Sequence, residues 1–333
     1  MKPFLKYPGG KTKEVPLVKQ YMPNDINRYF EPFVGGASVY LALGIRDSYI
    51  NDYSTDLINV YRYIKNNNII FHQYLLNFDL FWHKLDFVDF NPEILMDYPY
   101  FDQALYLINY NNALTRKNKI INKLVEQGNA ISQENYQKIL TTSRKTAFYM
   151  LVRKIYNDLK VTNELKTACY YFLREYCYSS MFRFSKDGKF NVPYGGMSYN
   201  TKYMTSKIEY MFSKETIAYF KSTKIFNKDF EAFLNEYKFD DKDFIFLDPP
   251  YDSDFSTYDR NPFDKAEQIR LKNFLNVTKA KWMLIIKKTD FIYDLYKNFY
   301  IYEYDMNYMV SFKNRNEKNV EHLLITNYII RSD

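Results

Sequence analysis

Glycine is scarce in this chain of 333 residues, with nine in total, so glycines that stand together are informative. There are two cysteines, Cys169 and Cys177, without framework spacing. That excludes a disulfide-stapled fold and points to a reducing compartment. The three histidines, His72, His83 and His322, are scattered, so a His/Cys zinc site is not expected and no metal is assigned. No apolar run reaches the roughly 18 residues that a membrane span needs. A signal-peptide pattern is missing at the start. A cytoplasmic protein with no membrane partner is therefore expected. The chain also lacks an internal repeat and a low-complexity linker.

Aromatic residues, by contrast, are abundant: 35 Tyr and 28 Phe. Nucleotide bias accounts for much of this, because Asn, Lys and Ile are abundant too. It still leaves many faces on which bases can stack. The formal net charge is +7, which suits a polyanionic partner.

Seven short apolar runs predict strands: RYFEPF (28–33), SYIND (48–52), STKIFNKD (222–229), DFIFLDPPY (243–251), KWMLIIKK (281–288), FYIYEYDM (299–306) and VEHLLITNY (320–328). Alternation of such runs with helical stretches indicates a buried, largely parallel sheet. Ligands of such sheets bind beyond the carboxyl ends of the strands. Glu31, Asp52, Asp229 and Asp248 stand at those ends. Between about 60 and 215 the pattern is polar and mostly helical. Residues 113–166 hold eleven Lys/Arg against four Asp/Glu, an excess as large as the charge of the whole chain. A solvated helical face is the plain alternative to a phosphate-binding one.

The stretch PGGKT (8–12) imitates a phosphate loop. A P-loop needs a glycine five residues before the Gly that precedes Lys-Thr, and that position is Leu5. A triphosphate is therefore excluded by spacing. DPPY (248–251) is more specific. Two prolines after an apolar strand fix φ and remove two backbone donors. The turn then offers acceptors, the Asp248 carboxylate and a carbonyl of Pro249–Pro250, and these suit a substrate NH₂ group. Tyr251 supplies a face for a base. In FEPFVGGASVYLAL (30–43) a strand runs through Gly35–Gly36 into a helix, which lets backbone approach a ligand closely. Asp52 follows at the end of the next strand, where an acid can accept from ribose hydroxyls. Together these describe an adenosine-containing cofactor beside an amine substrate.

In their order these motifs resemble the Dam-type, alpha-class adenine-specific DNA methyltransferases over nearly the whole chain. FLKYPGGK (4–11) is similar to the family's amino-terminal cofactor motif, EPFVGGAS to its glycine motif and NDYSTDLI (51–58) to its ribose motif. FRFSKDGKFNVPYG (182–195) resembles its recognition hairpin. DPPY, FSTYDRNPFD (255–264) and EHLLITNY (321–328) complete the set. The resemblance implies an α/β, Rossmann-like methyltransferase fold with a mostly parallel seven-stranded sheet. Residues 1–60 and 216–333 would form the catalytic domain, and 61–215 an inserted, mostly helical target-recognition domain.

The implied activity is methyl transfer from S-adenosyl-L-methionine to the exocyclic N6 amine of adenine in double-stranded DNA, with base flipping. Asp248, Pro249, Pro250 and Tyr251 would be catalytic. Tyr7, Lys11, Phe33, Gly35, Asp52, Asp229 and Asp248 would bind the cofactor, with Lys11 at its carboxylate end and Asp229 near its adenine. Arg183 and Lys189 would reach base edges. Arg116, Lys117, Arg144 and Lys145 would bind phosphates. A monomer or weak dimer is expected, beside a cognate restriction endonuclease or as an orphan or phage enzyme. Two positions depart from the family's pattern: Ser179-Ser180 replaces Asn-Gly before the hairpin, and Lys287-Lys288 replaces Ser-Asn after the fifth strand. The alternatives are an RNA adenine or protein glutamine methyltransferase, and a non-catalytic DNA-binding protein that retains the fold. The Asp that opens DPPY disfavours the glutamine enzymes, which favour Asn there.

Overall fold

The computed structural model describes residues 1–250, 263–306 and 320–330. They form two compact units. One comprises Met1–Pro3, Gly9–Tyr61 and Ala218–Asp333, the other Phe4–Pro8 and Arg62–Ile217.

The first unit is built on a sheet with seven strands among the described residues: β1 (Arg28–Glu31), β2 (Tyr49–Asn51), β3 (Lys224–Phe226), β4 (Asp243–Leu247), β5 (Lys281–Lys287), β6 (Tyr300–Met306) and β7 (Val320–Thr326). Each falls within one of the apolar runs. Their order is β3-β2-β1-β4-β5-β7-β6. All pairs from β3 to β5 are parallel, and β7 runs antiparallel between β5 and β6. A parallel strand covered on both faces needs apolar residues on both, without alternation. Strand β4, DFIFL, meets that demand with all five residues buried. Phe30, Ile245, Leu247, Trp282, Leu284 and Ile325 anchor the core. The carboxyl ends of the parallel strands share one edge. Strand order reverses between β1 and β4, and such a reversal opens a crevice for ligands.

The second unit is mostly helical. Its longer helices are Ile69–Lys84, Gln103–Glu126, Gln133–Tyr156 and Asn163–Tyr176. Each starts where an Asn, Asp, Ser or Thr side chain accepts an otherwise orphaned backbone N–H: Asn68, Asp102, Ser132 and Thr162. Much of the aromatic excess packs here. Phe78, Phe81, Trp82, Phe148, Phe172 and Tyr176 are buried, with Trp82 and Tyr176 centroids 4.1 Å apart. These rings are core, and this answers much of the composition by packing. Residues 4–8 belong to this unit, because Tyr171 donates its hydroxyl to the Phe4 carbonyl at 2.7 Å. The 182–195 stretch closes as a small hairpin on the Phe184–Phe190 bridge. Its turn is completed by the Ser185 N–H on the Lys189 carbonyl at 2.8 Å and by Gly188 at φ 74°.

At the edge of the sheet opposite the strand carboxyl ends, Arg28 and Asp243 open neighbouring strands and lie in register. The guanidinium donates to both carboxylate oxygens, Nε to Oδ1 at 2.7 Å and Nη2 to Oδ2 at 2.6 Å. Asp243 is fully buried, so it depends on this partner. Arg28→Met should destabilise the protein by roughly 3 kcal/mol, the scale of a broken buried pair. Chemical denaturation checks it. Catalysis by the folded fraction should remain, since the pair sits at the far edge.

Candidate active site

Strand β4 delivers Asp248 to the carboxyl edge of the sheet. The Lys11 ammonium lies 2.7 Å from its Oδ1, with Lys11 2% and Asp248 21% exposed. Lys11 also donates to the Gly9 carbonyl at 3.1 Å. The lysine of PGGKT is thus joined to the carboxylate of DPPY, a partner that the sequence reading had not assigned to it. Burial raises the Asp248 carboxyl above its ordinary value, and the Lys11 charge and hydrogen bond pull it back. Two further carboxyls share this charge environment. Glu14 is buried; burial raises it, Lys11 lowers it and Asp248 raises it. Its Oε2 has no hydrogen-bond partner among the described residues. Glu31, at the end of β1, is raised well above the usual range, chiefly by burial. The Tyr29 hydroxyl donates to it at 2.5 Å.

The proline turn is fixed from behind. Gln268, fully buried on helix Lys265–Val277, donates Nε2 to the Pro250 carbonyl at 3.1 Å. One of the two candidate carbonyls of the proline pair is therefore engaged internally. Tyr251 lies outside the described residues, as does the stretch 255–262.

The glycine turn after β1 is equally tied. Gly35 takes φ 46° and Ala37 φ 60°, and the left-handed value suits a residue without Cβ at 35. The Gly35 N–H donates to Asp52 Oδ2 at 3.0 Å, and the Ser54 N–H to Oδ1 at 2.9 Å. The Tyr61 hydroxyl donates to the Gly35 carbonyl at 2.5 Å. Asn51, buried, stitches the strand ends. Its Nδ2 donates to the Pro32 and Lys228 carbonyls, and its Oδ1 accepts from the Lys228 N–H. Phe33 packs on Phe230 and Phe263, at 5.4 and 5.5 Å between centroids. Asp229 caps helix Phe230–Leu234 through the N–H groups of Glu231 and Ala232, and its other oxygen pairs with Arg270. Arg270 also meets Glu231 at 3.2 Å and Glu267 at 3.1 Å. A contact from Asp229 to a cofactor would have to share that carboxylate with a cap and an ion pair.

Asn51, Gln268 and Glu14 were missed by the sequence reading. A polar residue at a strand end was a usable signal for Asn51. For the other two no local pattern stood out.

The candidates of the second unit divide. Tyr7 lies under the Arg174 guanidinium, 4.7 Å from its ring centroid. Arg183 and Lys189 are exposed on the hairpin; Arg183 donates to Asn191 Oδ1 at 3.2 Å, and Lys189 is 3.2 Å from Asp187. Arg116 is exposed and Lys117 half-buried. Arg144 and Lys145 correct the charge-based reading. Both are buried. Arg144 donates to the Phe87 and Val88 carbonyls at 2.7 and 3.0 Å. Lys145 pairs with Asp86 at 2.8 Å and donates to the Asn200 carbonyl at 2.5 Å. Side chains so enclosed serve the fold, not a phosphate backbone. Ser179 and Ser180, where Asn-Gly was expected, take φ 52° and 54°. That conformation costs an ordinary residue roughly 1–2 kcal/mol and is easiest for Gly and Asn, so the two serines hold a backbone that Asn-Gly would adopt with less strain.

Comparison with known proteins gives these parts a common identity. The D12 class N6 adenine-specific DNA methyltransferase family matches residues 7–93 and 97–310. The Type II methyltransferase M.CviBI of Paramecium bursaria Chlorella virus NC1A is 29% identical, over 98% of this chain and 100% of its own length. The Type II methyltransferase M.MjaIII of Methanocaldococcus jannaschii is 28% identical, over 98% of this chain and 99% of its own. The DNA adenine methylase of Haemophilus influenzae is 24% identical, over 86% and 78%. The chain belongs to the D12 class N6 adenine-specific DNA methyltransferases, and its α/β sheet is the Rossmann-like fold expected of them. It is a DNA adenine methyltransferase, with DNA as its substrate. Among the described residues no helix is long and apolar enough to cross a membrane.

The Lys11–Asp248 pair makes a pH prediction. Lys11 lowers the Asp248 carboxyl, so its removal raises that carboxyl further. If the ionised form is needed, activity falls as pH drops through the Asp248 value. In Lys11→Met that acid limb should shift to higher pH. Activity at its plateau should fall at least about tenfold, the scale of one lost charge-assisted hydrogen bond. Single-turnover rates across pH provide the check; an unmoved acid limb would contradict it.

Proposed function

We propose that the first unit transfers a methyl group from S-adenosyl-L-methionine to N6 of an adenine flipped out of duplex DNA, and that the second unit selects the site. The observation that carries this is the Lys11–Asp248 pair at the carboxyl end of β4, beside a glycine turn tied to Asp52. The residues fit the cofactor by their chemistry. The orphaned, buried Glu14 oxygen and the Asp52 carboxylate are acceptors, and an amino acid–nucleoside offers an ammonium and ribose hydroxyls as donors. Lys11 is the matching cation for its carboxylate end. Phe33, Gly35 and Tyr7 would complete the contacts, with Asp229 toward the adenine.

When bound, the cofactor supplies a methyl group already activated as a sulfonium. The protein's part is positioning and electrostatics. The adenine amine is a poor nucleophile, because its lone pair is conjugated with the ring. Asp248 and a proline carbonyl accept from its two N–H groups and favour a pyramidal nitrogen with its lone pair exposed. Since the Pro250 carbonyl is held by Gln268, the Pro249 carbonyl is the one assigned this task. The proton on the methylated nitrogen leaves after transfer, so Asp248 need not be a strong base. Tyr251 stacks on the flipped base. Arg183 and Lys189 read base edges from the hairpin, while Arg116 and Lys117 bind phosphates.

Relatives of two kinds, Type II methyltransferases and DNA adenine methylases, keep open both a cognate endonuclease as partner and an orphan role. The expected assembly is a monomer or weak dimer in an intracellular setting.

Sequencing DNA from cells that express the chain, with a method that detects methyladenine, tests this reading. A single methylated motif is expected, and none in Asp248→Ala. Unmodified DNA with methylated RNA would instead favour an RNA enzyme. Cofactor binding without transfer to any DNA would favour a non-catalytic DNA-binding protein.

Two further outcomes follow from the residue roles. By calorimetry, Asp52→Ala should weaken cofactor binding while the fold survives; wild-type affinity would remove that assignment. In DNA titrations over salt, Arg116→Ala and Lys117→Ala should each lower the slope of log affinity against log salt by about 1. Lys145→Ala should leave that slope unchanged and instead cost roughly 3 kcal/mol of stability, the scale of a broken buried pair.

A further inference from the structure

Arg174 is 5% exposed and is ion-paired to no carboxylate among the described residues. Its neighbour Glu175 pairs with Lys6 and Lys207 instead. Arg174 is held by rings: Phe182 at 4.1 Å, Tyr7 at 4.7 Å and Tyr170 at 5.3 Å from the guanidinium carbon. Its Nε donates to the Tyr170 hydroxyl at 3.2 Å, and its Nη1 has no hydrogen-bond partner among the described residues. A buried cation without a counter-charge is costly, so its place here calls for a reason beyond packing. The rings differ in origin. Tyr7 belongs to the amino-terminal motif, and Phe182 opens the hairpin, where it stacks on Phe190 at 4.3 Å.

We propose that Arg174 is a positioning residue whose guanidinium, shared between the rings of Tyr7 and Phe182, makes cofactor binding and DNA binding depend on each other. The inference rests on the proposed roles of Tyr7 as a cofactor contact and of 182–195 as the recognition hairpin. Arginine is suited to this because a planar cation offers a face to more than one ring, which a lysine ammonium does not reproduce. A shift of either ring moves the guanidinium against the other. Linkage then requires that cofactor change DNA affinity by the same factor as DNA changes cofactor affinity.

The test measures binding of a fluorescent duplex with and without S-adenosylhomocysteine, together with calorimetric binding of S-adenosylhomocysteine alone. In the wild type, S-adenosylhomocysteine should change duplex affinity by at least about fivefold, the lower end of typical couplings. In Arg174→Lys that factor should fall to within about twofold of unity, with a melting temperature near that of the wild type. The second variant, Phe182→Leu, acts from the hairpin's first ring and leaves the Tyr7 ring in place. It should weaken S-adenosylhomocysteine binding about tenfold without DNA present, a desolvated cation–π scale, which a purely DNA-contacting hairpin would not do. An unchanged coupling factor in Arg174→Lys, or unchanged cofactor affinity in Phe182→Leu, overturns the inference. If Arg174→Lys does not fold, Phe182→Leu decides. Wild-type protein that binds both ligands without coupling overturns this inference alone. Wild-type protein that binds neither overturns the functional reading as well.

Discussion

A single buried ammonium that acts on two carboxyls is the constraint on which the site depends. Lys11 is almost wholly buried and meets Asp248 at 2.7 Å, while Glu14 and Glu31 add to the same electrostatic environment. Without that cation, burial alone would act on the Asp248 carboxyl and favour its protonated form, which would remove its proposed value as an acceptor for an amine. The pair also joins the amino-terminal loop to the end of β4, residues 237 positions apart in the chain. The PGGKT loop thus does have an anion to hold, and it is the carboxylate of Asp248 in DPPY.

The sheet around that pair explains why the site can be rigid. Asn51 binds the ends of β1 and β3 to β2, Gln268 holds the proline turn and Asp52 holds the glycine turn. Each tie reaches backbone, so the strand ends are fixed independently of any ligand. Preorganisation of this kind suits the proposed methyl transfer, in which the protein's part is positioning and electrostatics. The helical unit stands on a different footing. Its charge excess divides between exposed cations such as Arg116 and buried ones such as Lys145.

Those differences show what was legible in the sequence. The strands were legible because a strand in a buried parallel sheet must be apolar throughout, and DFIFL or KWMLIIKK admit few other readings. The motif order was legible because Asp248, Asp52 and Gly35 lie where strands end. Side-chain pairing was not. Lys145 and Arg116 look alike in a charge count, and only the fold reveals that Asp86 and the Asn200 carbonyl enclose the first. Ser179-Ser180 looked like a lost Asn-Gly signal, yet the backbone keeps the left-handed geometry. Aromatic abundance looked like bias or stacking surface, whereas the Trp82–Tyr176 cluster is core. For Lys145 and for Trp82 the deciding contact lies tens of residues away, beyond the reach of local pattern.

The central claim is that Asp248 acts as a hydrogen-bond acceptor for the amine of a flipped adenine. The most direct measurement is single-turnover methylation of matched duplexes and of duplexes whose target adenine sits in a mismatch, by the wild type and Asp248→Ala. A mismatch lowers the cost of flipping but supplies no acceptor. The expected result is therefore an Asp248→Ala defect that persists undiminished on mismatched DNA. Restoration of the variant's rate by the mismatch would contradict the assignment, because it would place Asp248 in flipping the base and not in holding its amine.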